Sequence, residues 1–166
     1  VRVAFRLSDG NYLNYMDQRL LGELRLLKDW RDFPFFKRIG PEPFDISAKD
    51  FLKIIENKKT KIKSLLLDQS KIAGIGNIYA QEALFLAKID PSRPACELKD
   101  IDAELLYKKI KAVLKKGIKH KGSSVDLYRN LDGNKGGMEK RLKVYGREGQ
   151  KCLDCKTQIQ KISLAG

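Results

Sequence analysis

Asp68-Gln69-Ser70-Lys71-Ile72-Ala73-Gly74-Ile75-Gly76-Asn77-Ile78-Tyr79-Ala80-Gln81-Glu82-Ala83-Leu84-Phe85 is the most informative stretch of this chain. Gly74 and Gly76 flank Ile75 directly before a helical pattern carrying Ile78, Tyr79, Ala83, Leu84 and Ala87. Glycines at that place let a backbone approach a ligand, and a helix N-terminus offers N–H groups to an anion. Asn77 adds a side-chain amide, and Ile75 can plug into a core to anchor the turn. An ordinary helix–turn–helix corner would use the same glycines, so this stretch alone leaves both readings open.

Outward from this corner the pattern stays helical. Ser47-x-x-Asp50 can cap a helix bearing Phe51, Leu52, Ile54 and Ile55. A second short helix holds Ile62, Leu65 and Leu66. Pro91 and Pro94 close the helix after Gly76. A long helix from Asp100 to Lys119 is expected to bury Leu105, Leu106, Ile110, Val113, Leu114 and Ile118. Lys108, Lys109, Lys111, Lys115, Lys116 and Lys119 form its other face. Residues 121–137 read as a long polar loop, of a length that is often functional. Gly40-Pro41-Glu42-Pro43 is a stiff connector. Before it the period is two: Val1, Val3, Phe5 and Leu7 alternate with Arg2, Ala4 and Arg6, as in a half-buried strand. Ser8-Asp9-Gly10-Asn11 reads as a hairpin turn, Tyr12–Tyr15 as the returning strand and Leu24–Leu27 as a further strand.

The chain has 166 residues, with 34 Lys/Arg against 21 Asp/Glu and a net charge of +13. Apolar residues make up 42%, too many for a disordered tail. No run approaches the roughly 18 apolar residues of a membrane-spanning helix. The first residues lack the apolar core and cleavage site of a secretory signal. Val1 stands where an initiator Met would be expected, which suggests a chain that starts within something longer. Charge is regional. Residues 105–166 hold 16 Lys/Arg against 5 Asp/Glu, an excess of eleven, while residues 1–104 carry only two. A basic half of this kind suits a polyanion, and nucleic acid leads an anionic membrane or an acidic protein. Three cysteines make no disulfide framework, so a reducing cytosol fits. Cys96 reads as a small packing residue. Cys152 and Cys155 form a C-x-x-C, the spacing of half a tetrahedral zinc site, and a redox role lacks the surrounding strand–helix pattern. His120 reads as a helix-end surface residue rather than a third ligand.

Several ordered motifs together resemble the formamidopyrimidine-DNA glycosylase/endonuclease VIII family. Asp68–Phe85 resembles its helix–two-turn–helix element. Asp17-Gln18-Arg19-Leu20-Leu21-Gly22 resembles its D-P-R-R-F-G loop, and Ile39-Gly40-Pro41-Glu42-Pro43 its L-G-P-E-P connector. Val144-Tyr145-Gly146-Arg147, followed by Gly149-x-x-Cys152-x-x-Cys155, resembles the approach to its zinc finger. The resemblance covers nearly the whole chain. It implies an α+β architecture in three parts. Residues 1–44 would be the C-terminal part of a β-sandwich catalytic domain. Residues 45–148 would be a mainly helical helix–two-turn–helix DNA-binding domain, and residues 149–166 the first half of a zinc-finger hairpin.

It also implies base-excision DNA repair by a bifunctional DNA glycosylase/AP lyase acting on oxidised bases. The damaged nucleotide is flipped out of the duplex, attacked at C1′ by an N-terminal proline amine, and the strand is cut by elimination. The proline, its neighbouring glutamate, a hairpin lysine and a finger arginine have no match within residues 1–166. The chain is therefore expected to be a DNA-binding fragment without its nucleophile, inactive by itself. The implied DNA contacts are Arg19, Lys59, Lys63, Gly76 and Asn77. The implied intercalation loop is Arg19, Leu20 and Leu21, with Arg19 filling the gap left by the flipped base. Leucines stand where the family has a second arginine and an aromatic wedge, which bears on the choice of opposite base. Apolar wedges do unstack base steps, though leucine offers less stacking area than phenylalanine. Simple packing of Leu20 and Leu21 on the β unit is the alternative. Ser123 and Ser124 fall in the implied lesion-capping loop. Cys152 and Cys155 would be two of the four ligands of one zinc ion. The implied partner is double-stranded DNA with damaged or abasic sites, without membrane, and the implied state is a monomer in a bacterial-type cytoplasm at the nucleoid. The rival function is a non-enzymatic nucleic-acid-binding module built on the same element.

Overall fold

The structure is a computed structural model and describes residues 2–17, 20–123 and 133–164. Arg19 and Ser124 lie outside the described residues. The chain divides into two compact units, 1–37 and 38–166.

In the first unit, β1 (Val3–Arg6) pairs antiparallel with β2 (Tyr12–Tyr15), with Val3 opposite Tyr15 and Phe5 opposite Leu13. Asp9 ties the turn through the Asn11 backbone N–H and side-chain amide, both at 2.9 Å, and Gly10 takes φ +85°. The period-two pattern forms the expected strand, but Val3, Phe5 and Leu7 are exposed rather than half-buried. A two-stranded sheet has no second layer among the described residues of this unit to cover that face. Leu24–Leu27 is not a strand: it runs irregularly without a ladder partner among the described residues, and Leu26 is fully exposed. Beyond it Asp29 caps a single 3₁₀ turn, Trp30–Asp32, and α1 (Pro34–Arg38) follows. Trp30 and Phe36 meet edge to face at 4.9 Å, and the Arg25 guanidinium lies 4.7 Å from the Phe33 ring centre.

The second unit is helical. Its elements are α2 (Ala48–Ile55), α3 (Ile62–Leu67), α4 (Asn77–Ala87) and α5 (Asp100–Lys119). The Ser47/Asp50 capping box is present: the Asp50 amide donates to the Ser47 hydroxyl at 3.2 Å, and the Ser47 amide to the Asp50 carboxylate at 3.0 Å. These bonds hold the Asp50 carboxyl below its ordinary value, the Ser47 hydroxyl contributing most. Phe51, Ile55, Ile62, Leu65, Leu66, Ile72, Ile75, Leu84, Leu106 and Ile110 close one core. Phe51 stacks on Tyr107 at 5.5 Å. On α5 the buried face is Ala103, Leu106, Tyr107, Ile110, Val113 and Gly117. Leu114 is half-buried, but Leu105 and Ile118 are exposed, because steps of three and four from Ala103 to Gly117 pass both of them by. Cys96 is also exposed, against the packing role expected of it. The 3₁₀ turn Ala95–Glu97 points Ala95 and the following Leu98 inward and leaves Cys96 outside.

The 38–43 connector docks on the corner between α3 and α4. The Gly40 amide donates to the Gln69 carbonyl at 2.8 Å, and the Ala73 amide to the Pro41 carbonyl at 2.9 Å. A Cβ on Gly40 would lie 2.7 Å from the Lys71 carbonyl carbon, so only glycine admits this approach. The Tyr107 hydroxyl, from α5, donates to the Pro43 carbonyl at 3.1 Å and also reaches the Ile46 carbonyl. Past α5, Ser123 and Gly137 form an antiparallel bridge, with the Gly137 amide on the His120 carbonyl at 2.8 Å. The described ends of the 121–137 loop are thereby pinned together. Among the described residues no helix is long and apolar enough to cross a membrane.

Candidate nucleic-acid interface

The corner before α4 is organised by Gln69. Its side-chain amide donates to the carbonyls of Leu67 at 3.2 Å and Ile75 at 3.1 Å, while its oxygen accepts the Gly74 amide at 2.9 Å. Gly74 sits at φ +77°, which an L side chain rarely adopts. Ile72, Ala73 and Ile75 are buried, so the two turns hang from the core by their apolar side chains. Gly76 is the N-cap of α4, and no capping side chain bonds the first turn. That leaves the positive end of an 11-residue helix open to an anion. Asn77 stands exposed beside it, and its oxygen accepts the Gln81 amide at 3.0 Å.

Lys63 on α3, Asn77 and Gln81 line one wall of a groove of about 1060 Å³. Val144–Gly146, Glu148 and Ile159–Leu164 line the other. The structure thus brings Lys63 and Asn77 together. Lys59 is exposed in the loop before α3, not on a helix and not on this groove. Ser123 sits at the foot of the 121–137 loop, its hydroxyl buried without a hydrogen-bond partner among the described residues. In the first unit, the Asp17 carboxylate accepts the Gly22 amide at 2.6 Å, closing the loop across 18–21. Leu20, at φ +56°, and Leu21 are both exposed, which sets aside their packing on the β unit.

The C-terminal segment forms a tight turn. Lys151 bridges Gln158, the Cys152 amide donates to the Thr157 carbonyl at 2.7 Å, and the Lys156 amide to the Cys152 carbonyl at 3.1 Å. The Asp154 amide points at Cys152 Sγ at 3.4 Å. Hydrogen bonds from Thr157, with a smaller contribution from Cys152, hold the Cys155 thiol below its ordinary value. Cys152 is buried and Cys155 exposed. Two thiols on one turn, with amides aimed at sulfur, fit one edge of a tetrahedral thiolate site. Among the described residues no group of three or more His, Cys, Asp or Glu gathers around a common point. His120 ends α5 half-buried. Its imidazole is held below its usual value, first by partial burial and then by Arg141, Lys119 and Lys116.

The sequence reading missed Glu82. It is 2% exposed on α4, and its carboxylate accepts the backbone amides of Lys143, Val144 and Tyr145 at 2.8–3.0 Å. A charged residue on the apolar side of α4, three residues after Tyr79, was the available signal.

Two turns pinned by apolar residues and a helix start left open beside Lys63 define a helix–two-turn–helix unit of the nucleic-acid-binding kind. The chain belongs to the family described as the formamidopyrimidine-DNA glycosylase H2TH domain, whose model matches residues 39–129. It is 42% identical over 99% of its length to a protein named formamidopyrimidine-DNA glycosylase from Desulforamulus reducens, and 43% over 98% to one from Heliobacterium modesticaldum. The chain spans about 60% of the length of these curated relatives. The crystal structure of the MutM (Fpg) protein of Thermus thermophilus superposes with a TM-score of 0.78 at 39% identity, covering 84% of this chain and 54% of that one. A Lactococcus lactis Fpg complexed with DNA containing an abasic site gives 0.74 at 41%, covering 82% and 51%.

Proposed function

We propose that this chain is the DNA-gripping part of a DNA glycosylase/AP lyase that acts on oxidised bases in base-excision repair. The observation that carries the reading is the open N-terminus of α4. It presents Asn77 on the same groove as Lys63, with Gly76 capping the helix directly before it. A phosphate beside a lesion would be held there by backbone N–H groups, the Asn77 amide and the Lys63 ammonium. Lys59 would meet the backbone further along.

The three-part division at 44 and 148 belongs to this proposal. So does the role of Arg19, Leu20 and Leu21 as the loop that enters the gap, on the base that Asp17 and Gly22 close. Ser123 and Ser124 would cap the lesion from the loop pinned at 123 and 137. Cys152 and Cys155 would hold one edge of a structural zinc ion, which would rigidify the turn. None of residues 1–166 matches the family's nucleophile, so the chain by itself would bind as a monomer without cutting. A cytoplasmic site at the nucleoid follows from that substrate. The closed Asp17–Gly22 loop and the two-thiol turn favour this reading over a bare nucleic-acid-binding module, which needs neither.

The test is binding to a duplex with one abasic-site analogue and to the same duplex intact, at two salt concentrations. Preferential binding of the abasic duplex supports the reading. Equal affinity with a steep salt slope would refute it in favour of generic electrostatic binding.

A further inference from the structure

The geometry points to Glu82 and Arg147 as a pair of positioning residues that carry the orientation of α4 to the Cys152–Cys155 turn. Glu82 lies five residues after Asn77 on the same helix. Among the described residues no lysine or arginine side chain pairs with it. Its buried charge is met instead by three successive backbone amides, 143–145, which together fix that stretch of backbone against α4. The Lys143 peptide unit then hands the alignment on. Its carbonyl accepts Arg147 Nη1 at 2.6 Å, while Arg147 Nη2 donates to the Lys151 carbonyl at 3.0 Å and Nε to the Gln150 side chain at 3.1 Å. Lys151 immediately precedes Cys152. A planar guanidinium suits this role, because its donors are fixed in one fork.

Among the described residues, the core cluster of the helical unit contains none beyond Leu114. In the 138–164 segment Met138, Leu142 and Cys152 are buried, and Glu82 is the most buried charged side chain that meets it. The other wall of the groove begins at Val144. Glu82 and Arg147 thus keep the two walls in register. This deepens the DNA-binding reading and rests on it only for its consequence, not for the coupling itself.

The experiment measures alkylation of Cys152 by N-ethylmaleimide, resolved by mass spectrometry, with exposed Cys96 as internal reference. It compares the 166-residue chain with Glu82→Gln, Arg147→Gln, Arg147→Lys and the Glu82/Arg147 double variant. Loss of a charge-assisted bond predicts that Cys152 reacts about tenfold faster in each single variant. Cys96 reactivity and the helical thermal transition should hold steady. Arg147→Lys should fail to rescue, and the double variant should exceed neither single one by the product of their effects. An unchanged Cys152 rate, or rescue by Arg147→Lys, overturns the inference. So does a parallel rise at Cys96, which marks general unfolding. With duplex DNA, the single variants should bind with a shallower salt slope. Failure of the parent chain to bind DNA would remove the proposed function, while the thiol rates would still decide the coupling.

Discussion

Gly40→Ala tests how the connector holds the corner that carries Gly76 and Asn77. The new methyl would lie 2.7 Å from the Lys71 carbonyl carbon, 2.8 Å from its oxygen and 2.9 Å from the Ile72 nitrogen. All three are backbone atoms, so no side chain can swing away. Reaching ordinary contact requires the two backbone segments to part by about 0.8 Å, against a usual carbon–carbon separation of roughly 3.5 Å. That stretches the Gly40–Gln69 and Ala73–Pro41 hydrogen bonds, at 2.8 and 2.9 Å, to or past their limit. Each is worth about 1 kcal/mol net, and the residual overpacking adds about 1 kcal/mol. Replacing glycine returns about 0.7 kcal/mol by restricting the unfolded chain. The net loss is about 2 kcal/mol, a fall in melting temperature of roughly 4–8 °C for a chain of this size. Urea and thermal unfolding followed by circular dichroism measure it. Gly76→Ala is the control: its Cβ meets nothing within 4 Å, so stability should change by under about 1 kcal/mol. Gly40→Ala within about 0.5 kcal/mol of the parent chain would refute the packed connector.

Further outcomes follow from the same contacts. Asn77→Ala should weaken binding to abasic-analogue duplex by about 1–3 kcal/mol if its amide grips a phosphate, with unfolding unchanged. Fluorescence anisotropy reads the affinity and thermal unfolding the stability, and equal affinity would count against the grip. Borohydride should not trap the 166-residue chain on abasic-site DNA, and a covalent band on a denaturing gel would show that another amine serves. His120 has a folded-state pKa below its unfolded value of about 6.5, so the unfolded chain binds the extra proton first. Stability should be complete above that pH and fall as pH drops from there through the lowered folded value. His120→Gln should flatten that part of the curve, and unfolding midpoints between about pH 5 and 8 check it.

Local patterns were legible where one element states its own physics. The Ser47-x-x-Asp50 box, the steps of three and four along α5 and the Gly74–Asn77 corner all act within a turn or two of chain. The box and the corner stand in the structure as the sequence states them, and α5 keeps its expected bounds, although Leu105 and Ile118 face outward. Leu24–Leu27 failed because a strand needs a partner, which four residues cannot supply for themselves. Cys96 failed because a 3₁₀ turn of three residues decides which of its side chains face in.

Sequence alone determined the family, the helical body and the basic half of the chain. The helical body and the basic half follow from residue types at short spacing and from charge, and the family from the resemblance of several ordered motifs, none of which depends on where distant segments meet. Only the tertiary structure showed that Lys63 and Asn77 share a groove while Lys59 does not, that Gly40 abuts the Lys71 backbone, and that Glu82 receives the amides of 143–145. Glu82 and Lys143 lie 61 residues apart. A carboxylate on a helix carries no mark of which backbone will come to it, because that is settled by packing the chain into three dimensions.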